Sequence, residues 1–253
     1  MKTDHKLIKG DCLEELKKIP DESVDLVFAD PPYGLAKKNG LGWKYSKHIT
    51  LEEAWDIFSK DEYFDFSLKW ISECMRVLKH GGSLWVCGSF HNIYLIGFIL
   101  HHLDFKINNS IVWFKPNAQP NISCRMFTES TEHLIWAVKN HSRTKWTFNY
   151  GDTKNIEDAL NPKGKQTRNV WSIPLTRKKE KWAGDHPTQK PEELLRRIIL
   201  SCTQEGELIL DPFLGSGTTS IMAKSLKRNS IGIEKDKNYF KIAEKRLSQT
   251  TLD

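Results

Sequence analysis

Glu207-Leu-Ile-Leu-Asp211-Pro-Phe-Leu-Gly215-Ser-Gly217-Thr-Thr219 is the stretch that decides the fold. Glu207 to Leu210 reads as a short hydrophobic strand, and a helix is predicted from Ser220 to Leu226. Ser230 to Ile233 is a second strand, ending at Glu234. Strand, Gly-x-Gly turn, helix, strand and acidic residue together make a nucleoside-cofactor unit. The glycines let backbone approach a ligand closely, and the acid accepts hydrogen bonds from ribose hydroxyls. Glu234 lies about twenty residues past the turn, as that geometry expects. A P-loop would need a lysine in this turn, and a dinucleotide fingerprint a third glycine; neither is present. Phosphate is therefore a poor ligand for the turn. A nucleoside with an amino-acid tail and no phosphate, S-adenosylmethionine, fits these residues better.

A second strand end points to chemistry. Ser23 to Phe28 is a β-branched and apolar run, and Ala29-Asp30-Pro31-Pro32-Tyr33 follows it. The two prolines lack N–H groups, so the ladder stops at Asp30 and the chain turns out of the sheet. An acid, a rigid turn and an aromatic ring are thus held at the carboxyl end of a strand, where open α/β sheets bind ligands. Taken alone, the same residues also suit a Pro-Pro loop with a satisfied aspartate.

Outward from these two points the chain reads as alternating strands and helices. His5 to Lys9 is a strand stopping at Gly10-Asp11, and Leu13, Leu16 and Ile19 share one helical face. Phe66, Leu68, Ile71, Met75 and Leu78 carry a helix over 65–78, closed by His80-Gly81-Gly82, and Ser83 to Cys87 is the next buried strand. A helix over 92–103 and strands over 106–114 and 133–138 follow. Pro191 opens a helix whose apolar face is Leu194, Leu195, Ile198 and Ile199. The final amphipathic helix spans 238–247.

Two segments break the pattern. Residues 34–60 have no clean period, as in a mobile lid beside a strand end. Residues 139–185 mix Lys and Arg, among them Arg168 and Arg177, Lys178 and Lys179, with Trp146, Phe148, Tyr150, Trp171 and Trp182. A solvated charged insert is one reading. The other is a nucleic-acid surface, with cations for phosphates and rings for bases.

The bulk composition constrains the rest. At 253 residues the chain suits one α/β domain over 1–253, and a net charge of +6 fits a polyanionic partner. Cys12, Cys74, Cys87, Cys124 and Cys202 are odd in number, and no two sit at C-x-x-C spacing. A disulfide framework and a zinc site are unexpected, so no metal is predicted and a reducing, cytoplasmic setting is. The longest apolar run, Ile93 to Leu100, is too short for a membrane span, and no signal peptide or membrane partner is expected.

Asp30-Pro-Pro-Tyr33 and Phe213-Leu-Gly215-Ser-Gly217-Thr resemble the two signature motifs of the amino-DNA methyltransferases. Their order, catalytic motif first, is that of the β class. Pro116 to Arg125, Ser130-Thr-Glu132 and Lys181 to Lys190 are similar to its short N6-adenine enzymes. Within that group the chain is most similar to the second methyltransferase of DpnII/MboI-type restriction systems, which act on GATC.

The resemblance implies a Rossmann-like class I methyltransferase fold with a mostly parallel seven-stranded sheet, circularly permuted motif order and an inserted target-recognition region at 139–185. It implies that Asp30 and the Pro31 carbonyl accept hydrogen bonds from the target amine, that Pro32 completes the turn, and that Tyr33 stacks on a flipped base. Asp30, Asp211, Phe213, Gly215, Ser216, Gly217 and Thr218 would line S-adenosylmethionine. Glu234 would hold its ribose, Asp11 its adenine, and Lys190 would lie near its methionine tail. Asp11 and Lys190 also suit an ordinary helix cap and a surface residue. Arg125, Arg168, Arg177, Lys178 and Lys179 would contact DNA, embraced by the 34–60 loop and the 139–185 insert. A cognate endonuclease of the same site is implied as a partner, and a homodimer is left open. In this family a leading Ser in place of Asp30 suggests N4-cytosine methylation and a leading Asn suggests glutamine or RNA targets. Asp30 argues against both. A catalytically silent DNA-binding subunit is disfavoured because both motifs look intact.

Overall fold

Strand side chains point alternately to opposite faces of a sheet, and the central strands of this chain are apolar on both. Val27, Ala29, Leu84, Val86, Ile135 and Ala137 enter one core. Their neighbours Leu26, Phe28, Trp85, Cys87, Leu134 and Trp136 enter the other. A sheet built from such runs must be covered on both sides, which makes a three-layer α/β architecture.

The computed structural model describes residues 3–34, 58–121, 124–139 and 145–249; most of the segment expected as a DNA-facing loop at 34–60 lies outside the described residues. The order is β1 (His5–Lys9), α1 (Cys12–Leu16), β2 (Val24–Ala29), α2 (Lys60–Val77), β3 (Leu78–Gly88), α3 (Ile93–His102), β4 (Lys106–Phe114) and β5 (Thr131–Val138). Then come α4 (Tyr150–Thr153), β6 (Val170–Ser172), α5 (Glu192–Cys202), β7 (Leu208–Asp211), α6 (Thr218–Ser225), β8 (Asn229–Glu234) and α7 (Lys237–Ser248). Among the described residues the strands form one sheet in the order β1-β8-β7-β2-β3-β5-β4-β6. All neighbours pair in parallel except β5, which runs antiparallel to both β3 and β4. β1 lies beside β8, with Lys9 opposite Glu234 although the two are far apart in sequence.

The sheet has eight strands among the described residues, not the expected seven. The extra one is β6, inside the segment read as an insert, and it pairs with β4 through Val170, Trp171 and Ser172. Three residues are too few to show a period, so nothing in the chain announces it. The insert also lends its aromatics to the core. Trp171 is buried at 5 % exposure against Trp85, their ring centroids 5.9 Å apart. Trp85 in turn stacks on Trp136 at 5.5 Å, and Phe148 covers Trp136 at 5.4 Å. Trp171 is therefore a core residue and not a stacking platform for bases. Asp158 fastens the same segment to α5 through a buried ion pair, 2.6 Å from Arg197.

A second correction falls at Gly81-Gly82. These residues do not cap α2; Leu78 ends the helix with extended backbone and passes directly into β3, pairing with Val24. Gly81 adopts φ 80 at an irregularity in the pairing of β2 and β3, where glycine bears no steric cost. Among the described residues no helix is long and apolar enough to cross a membrane.

Candidate active site

Parallel pairing brings the carboxyl ends of β1, β8, β7 and β2 into one row. Each end delivers an acid to it: Asp11, Glu234, Asp211 and Asp30, all bordering one cleft of about 250 Å³. Its walls include the apolar Phe28, Phe58, Phe66, Pro212 and Leu195. Apolar walls with few, placed polar groups are what a small-molecule site needs.

The Gly-x-Gly turn floors one end. Gly215 has φ 56 and Gly217 φ 85, a region that side chains enter only at a cost. A Cβ on Gly215 would stand 3.0 Å from His186 Nε2, and one on Gly217 2.9 Å from Ala243. Gly215 N–H donates to Glu234 Oε2 at 2.7 Å, and Asp236 N–H to Oε1 at 2.7 Å, so the Glu234 carboxylate is fixed before any ligand arrives. Asp211 uses both its oxygens to shape the turn, accepting from Thr219 Oγ1 at 2.5 Å and from Phe213 N–H at 2.9 Å. Burial pushes its carboxyl up to about 7. The Phe213 ring packs edge-on against Trp70, with centroids 5.3 Å apart. Arg246 of α7 grips the turn from behind, donating to the Ser216 carbonyl at 3.0 Å and to Thr218 Oγ1 at 3.0 Å. Asp11 caps α1 through Leu13 N–H and pairs with Lys235 at 2.9 Å while bordering the cleft, so the cap and the ligand readings coexist.

Asp30 stands at the other end. Its Oδ1 accepts from the Tyr33 hydroxyl at 2.9 Å, and its Oδ2 lies 2.5 Å from Lys190 Nζ. Burial pushes the Asp30 carboxyl above the usual carboxylate range, with the Lys190 ammonium opposing it. Burial works against the Lys190 charge, but Asp30 and Glu132 outweigh it and hold the ammonium well above the ordinary lysine range. The Pro32 carbonyl accepts from the Tyr63 hydroxyl at 2.8 Å. Among the described residues no donor takes the Pro31 carbonyl.

The catalytic and cofactor residues expected from the sequence are thus gathered at one cleft, with Gly217 just behind its lining. Lys190 borders the cleft, but its ammonium is held by Asp30 and Glu132. Arg125, Arg168, Arg177, Lys178 and Lys179 lie outside the cleft lining, towards solvent. Lys178 and Lys179 belong to a 3₁₀ turn over Lys178–Lys181, tied to the cofactor edge where Gln189 Nε2 donates to the Glu180 carbonyl at 2.8 Å. Four residues take their place at the site only in three dimensions, although Glu132 and His186 lie in segments that carry the family resemblance. Glu132 is buried beside Asp30, Tyr63 braces the Pro-Pro turn, and Arg246 holds the Gly-x-Gly turn. His186 borders the cleft with its Nδ1 buried and unpartnered, and burial lowers its pKa to about 4.

The lining of the cleft suits a phosphate-free nucleoside. Its glycine cradle has no room for a Cβ, Glu234 is held ready for hydroxyls, and the acidic row suits a ligand carrying positive charge. Fold and site together are those of an α/β protein with a nucleoside-cofactor cleft. Three comparisons specify the family. A family model described as DNA methylase matches residues 24–245. The chain is 48% identical over 245 residues to Type II methyltransferase M2.LlaDCHI of Lactococcus lactis subsp. cremoris, covering 96% of this chain and 89% of that protein. It is 48% identical over 243 residues to Type II methyltransferase M2.DpnII of Streptococcus pneumoniae, covering 95% and 88%. Among solved structures, the M1.HpyAVI–SAM complex superposes with a TM-score of 0.70 at 28% identity, over 97% of this chain and all of that one. The chain belongs to the DNA methylase family, and it is an S-adenosylmethionine-dependent DNA methyltransferase.

Proposed function

We propose that the enzyme methylates the N6 amine of adenine at a specific DNA sequence, as the modification partner of a restriction endonuclease. The observation that carries this reading is the pair of acceptors at the cleft: the Asp30 carboxylate and the Pro31 carbonyl, which no donor takes among the described residues. Adenine N6 is a poor nucleophile because its lone pair is delocalised into the ring. Two acceptors on its hydrogens favour a pyramidal nitrogen whose lone pair leaves the ring plane. S-adenosylmethionine, when bound by Glu234, Asp11 and the Gly215–Thr218 turn, supplies an electrophilic methyl group for in-line displacement. The Asp30 carboxylate then offers a place for the proton that the methylated amine must shed. The Tyr33 ring borders the cleft and gives a flipped base a face to stack on, its hydroxyl turned inward to the acids.

The relatives support the restriction context, being named as Type II methyltransferases. Duplex access requires the target base to leave its stack. Arg125, Arg168, Arg177, Lys178 and Lys179 are assigned to the DNA backbone, and residues 139–185 to target recognition, carried on β6 and the Asp158–Arg197 pair. Mass spectrometry of nucleosides from treated DNA tests the reading. N6-methyladenine is expected; N4-methylcytosine would move the target to cytosine, and no methylated nucleoside would leave a silent subunit. Sequencing of the methylated adenines reads out whether the site is GATC.

A further inference from the structure

Behind Asp30 stands a buried carboxylate to which the chemistry above gives no part. Glu132, the second residue of β5, has a side chain only 16% exposed. Its Oε1 is 3.2 Å from Lys115 Nζ. Its Oε2 lies 3.2 Å from the Tyr33 hydroxyl oxygen, 3.7 Å from Lys190 Nζ and 3.6 Å from Cys87 Sγ. Lys115, Glu132, Lys190 and Asp30 therefore form a chain of alternating charge, two cations and two anions, at the catalytic end of the cleft.

This arrangement poses a problem for catalysis. Both oxygens of Asp30 already have donors, Tyr33 on Oδ1 and Lys190 on Oδ2. Each carboxylate oxygen keeps a second lone pair, but Oδ2 becomes the stronger acceptor for the target amine once the Lys190 ammonium draws back from it. Releasing Lys190 with nowhere to go would leave a buried cation unpaired, which is among the costliest changes a protein interior can undergo. Glu132 removes that difficulty. Lys190 stands between the two carboxylates, nearer to Asp30, and its flexible stem allows the small swing towards Glu132.

We propose that Glu132 is a positioning residue: it receives the Lys190 ammonium when the target amine takes Oδ2 of Asp30, so that Asp30 changes partners without stranding a buried cation. The proposal rests on the reading of Asp30 as the acceptor for the amine. Glu132 is suited to the part because it stays ionised. Burial pushes its carboxyl up, but Lys190 and Lys115 outweigh burial and hold it below the usual carboxylate range. The hand-over also leaves the summed charge of the cluster unchanged.

Single-turnover methyl transfer by the full-length enzyme, with S-adenosylmethionine and cognate DNA, tests this in Glu132→Gln and in the same change made on Lys190→Met. Glu132→Gln should slow transfer by about 10²-fold, the scale set by a stranded buried ion. Calorimetric cofactor affinity and the KM for DNA should stay within a few-fold. In the Lys190→Met background the further loss should be under about threefold, since no ammonium remains to be received. Equal losses in both backgrounds, or a normal rate in Glu132→Gln, would overturn the proposal. Should Glu132→Gln fail to bind cofactor, Glu132→Asp keeps the charge on a shorter stem and should transfer at least tenfold faster than Glu132→Ala; parity between those two would also overturn it. Asp30→Asn is the control for the underlying reading. Normal turnover there would remove Asp30 from the chemistry, and the proposal with it.

Discussion

Lys190 Nζ lies 2.5 Å from Asp30 Oδ2, joining two side chains 160 residues apart in sequence. The pairing opposes the effect of burial on the Asp30 carboxyl. Burial raises the pKa of Asp30, and the Lys190 ammonium is the largest influence opposing that rise. In Lys190→Met the opposition is gone, so Asp30 binds its proton more tightly and ionises only at higher pH. The acid limb of kcat/KM should therefore move to higher pH, with activity lost near neutrality and partly regained in alkali. A limb that stays in place, or moves to lower pH, would show that Lys190 does not govern Asp30.

Gly217→Ala addresses the cofactor turn. The substitution puts a side chain at φ 85 and a Cβ 2.9 Å from Ala243, where α7 backs the turn. A non-glycine residue held there costs about 1–3 kcal/mol. Urea denaturation should show a fall in stability on that scale, and calorimetry a weaker affinity for S-adenosylmethionine. Unchanged stability and affinity would mean the turn tolerates a Cβ.

Trp171→Ala separates core from DNA surface. The ring is buried against Trp85, with the Arg197 guanidinium 5.7 Å from its centre. Emptying such a site costs about 3–5 kcal/mol. The expected result is a large fall in the denaturation midpoint. Normal stability with selectively weakened DNA binding would return Trp171 to the nucleic-acid surface.

Neutralising Arg177, Lys178 and Lys179 together should act on DNA alone. All three lie at the 3₁₀ turn of Lys178–Lys181, away from the cleft lining. The slope of log affinity against log salt should flatten by about 0.9 for each DNA phosphate that these side chains no longer neutralise. Cofactor affinity should hold. An unaltered slope would reduce these residues to a solvated face.

The two strand ends that border the cleft are legible in the sequence because each is marked by residues with backbone consequences. The prolines after Asp30 have no N–H for a ladder, and Gly215 and Gly217 take positive φ. From those marks the pairing of β1 with β8 also follows, since a second acid has to come from a neighbouring strand end. Glu132 carries no such mark. It sits near the start of an ordinary strand, and only the antiparallel run of β5 puts its side chain beside Asp30. Arg246 reads as one basic residue of an amphipathic helix, and its hold on Ser216 and Thr218 depends on where α7 docks. Trp171 is ambiguous in sequence because an aromatic among lysines looks the same whether it faces bases or a core. Its place is settled by β6, a strand too short to carry a period.

Asp30→Ala tests the central claim, because it separates binding from chemistry. The cofactor turn and Glu234 are untouched by the change, so calorimetric affinity for S-adenosylmethionine should stay within a few-fold. The substitution takes away an acceptor for the target amine, and removing one such group commonly costs about 10²–10³ in rate. Misalignment of the amine adds to it, since reacting atoms tolerate little displacement. Methyl transfer to DNA should fall by at least that factor while cofactor binding persists. Near-normal turnover in Asp30→Ala would contradict the account, and Asp30-Pro-Pro-Tyr33 would not be the catalytic centre.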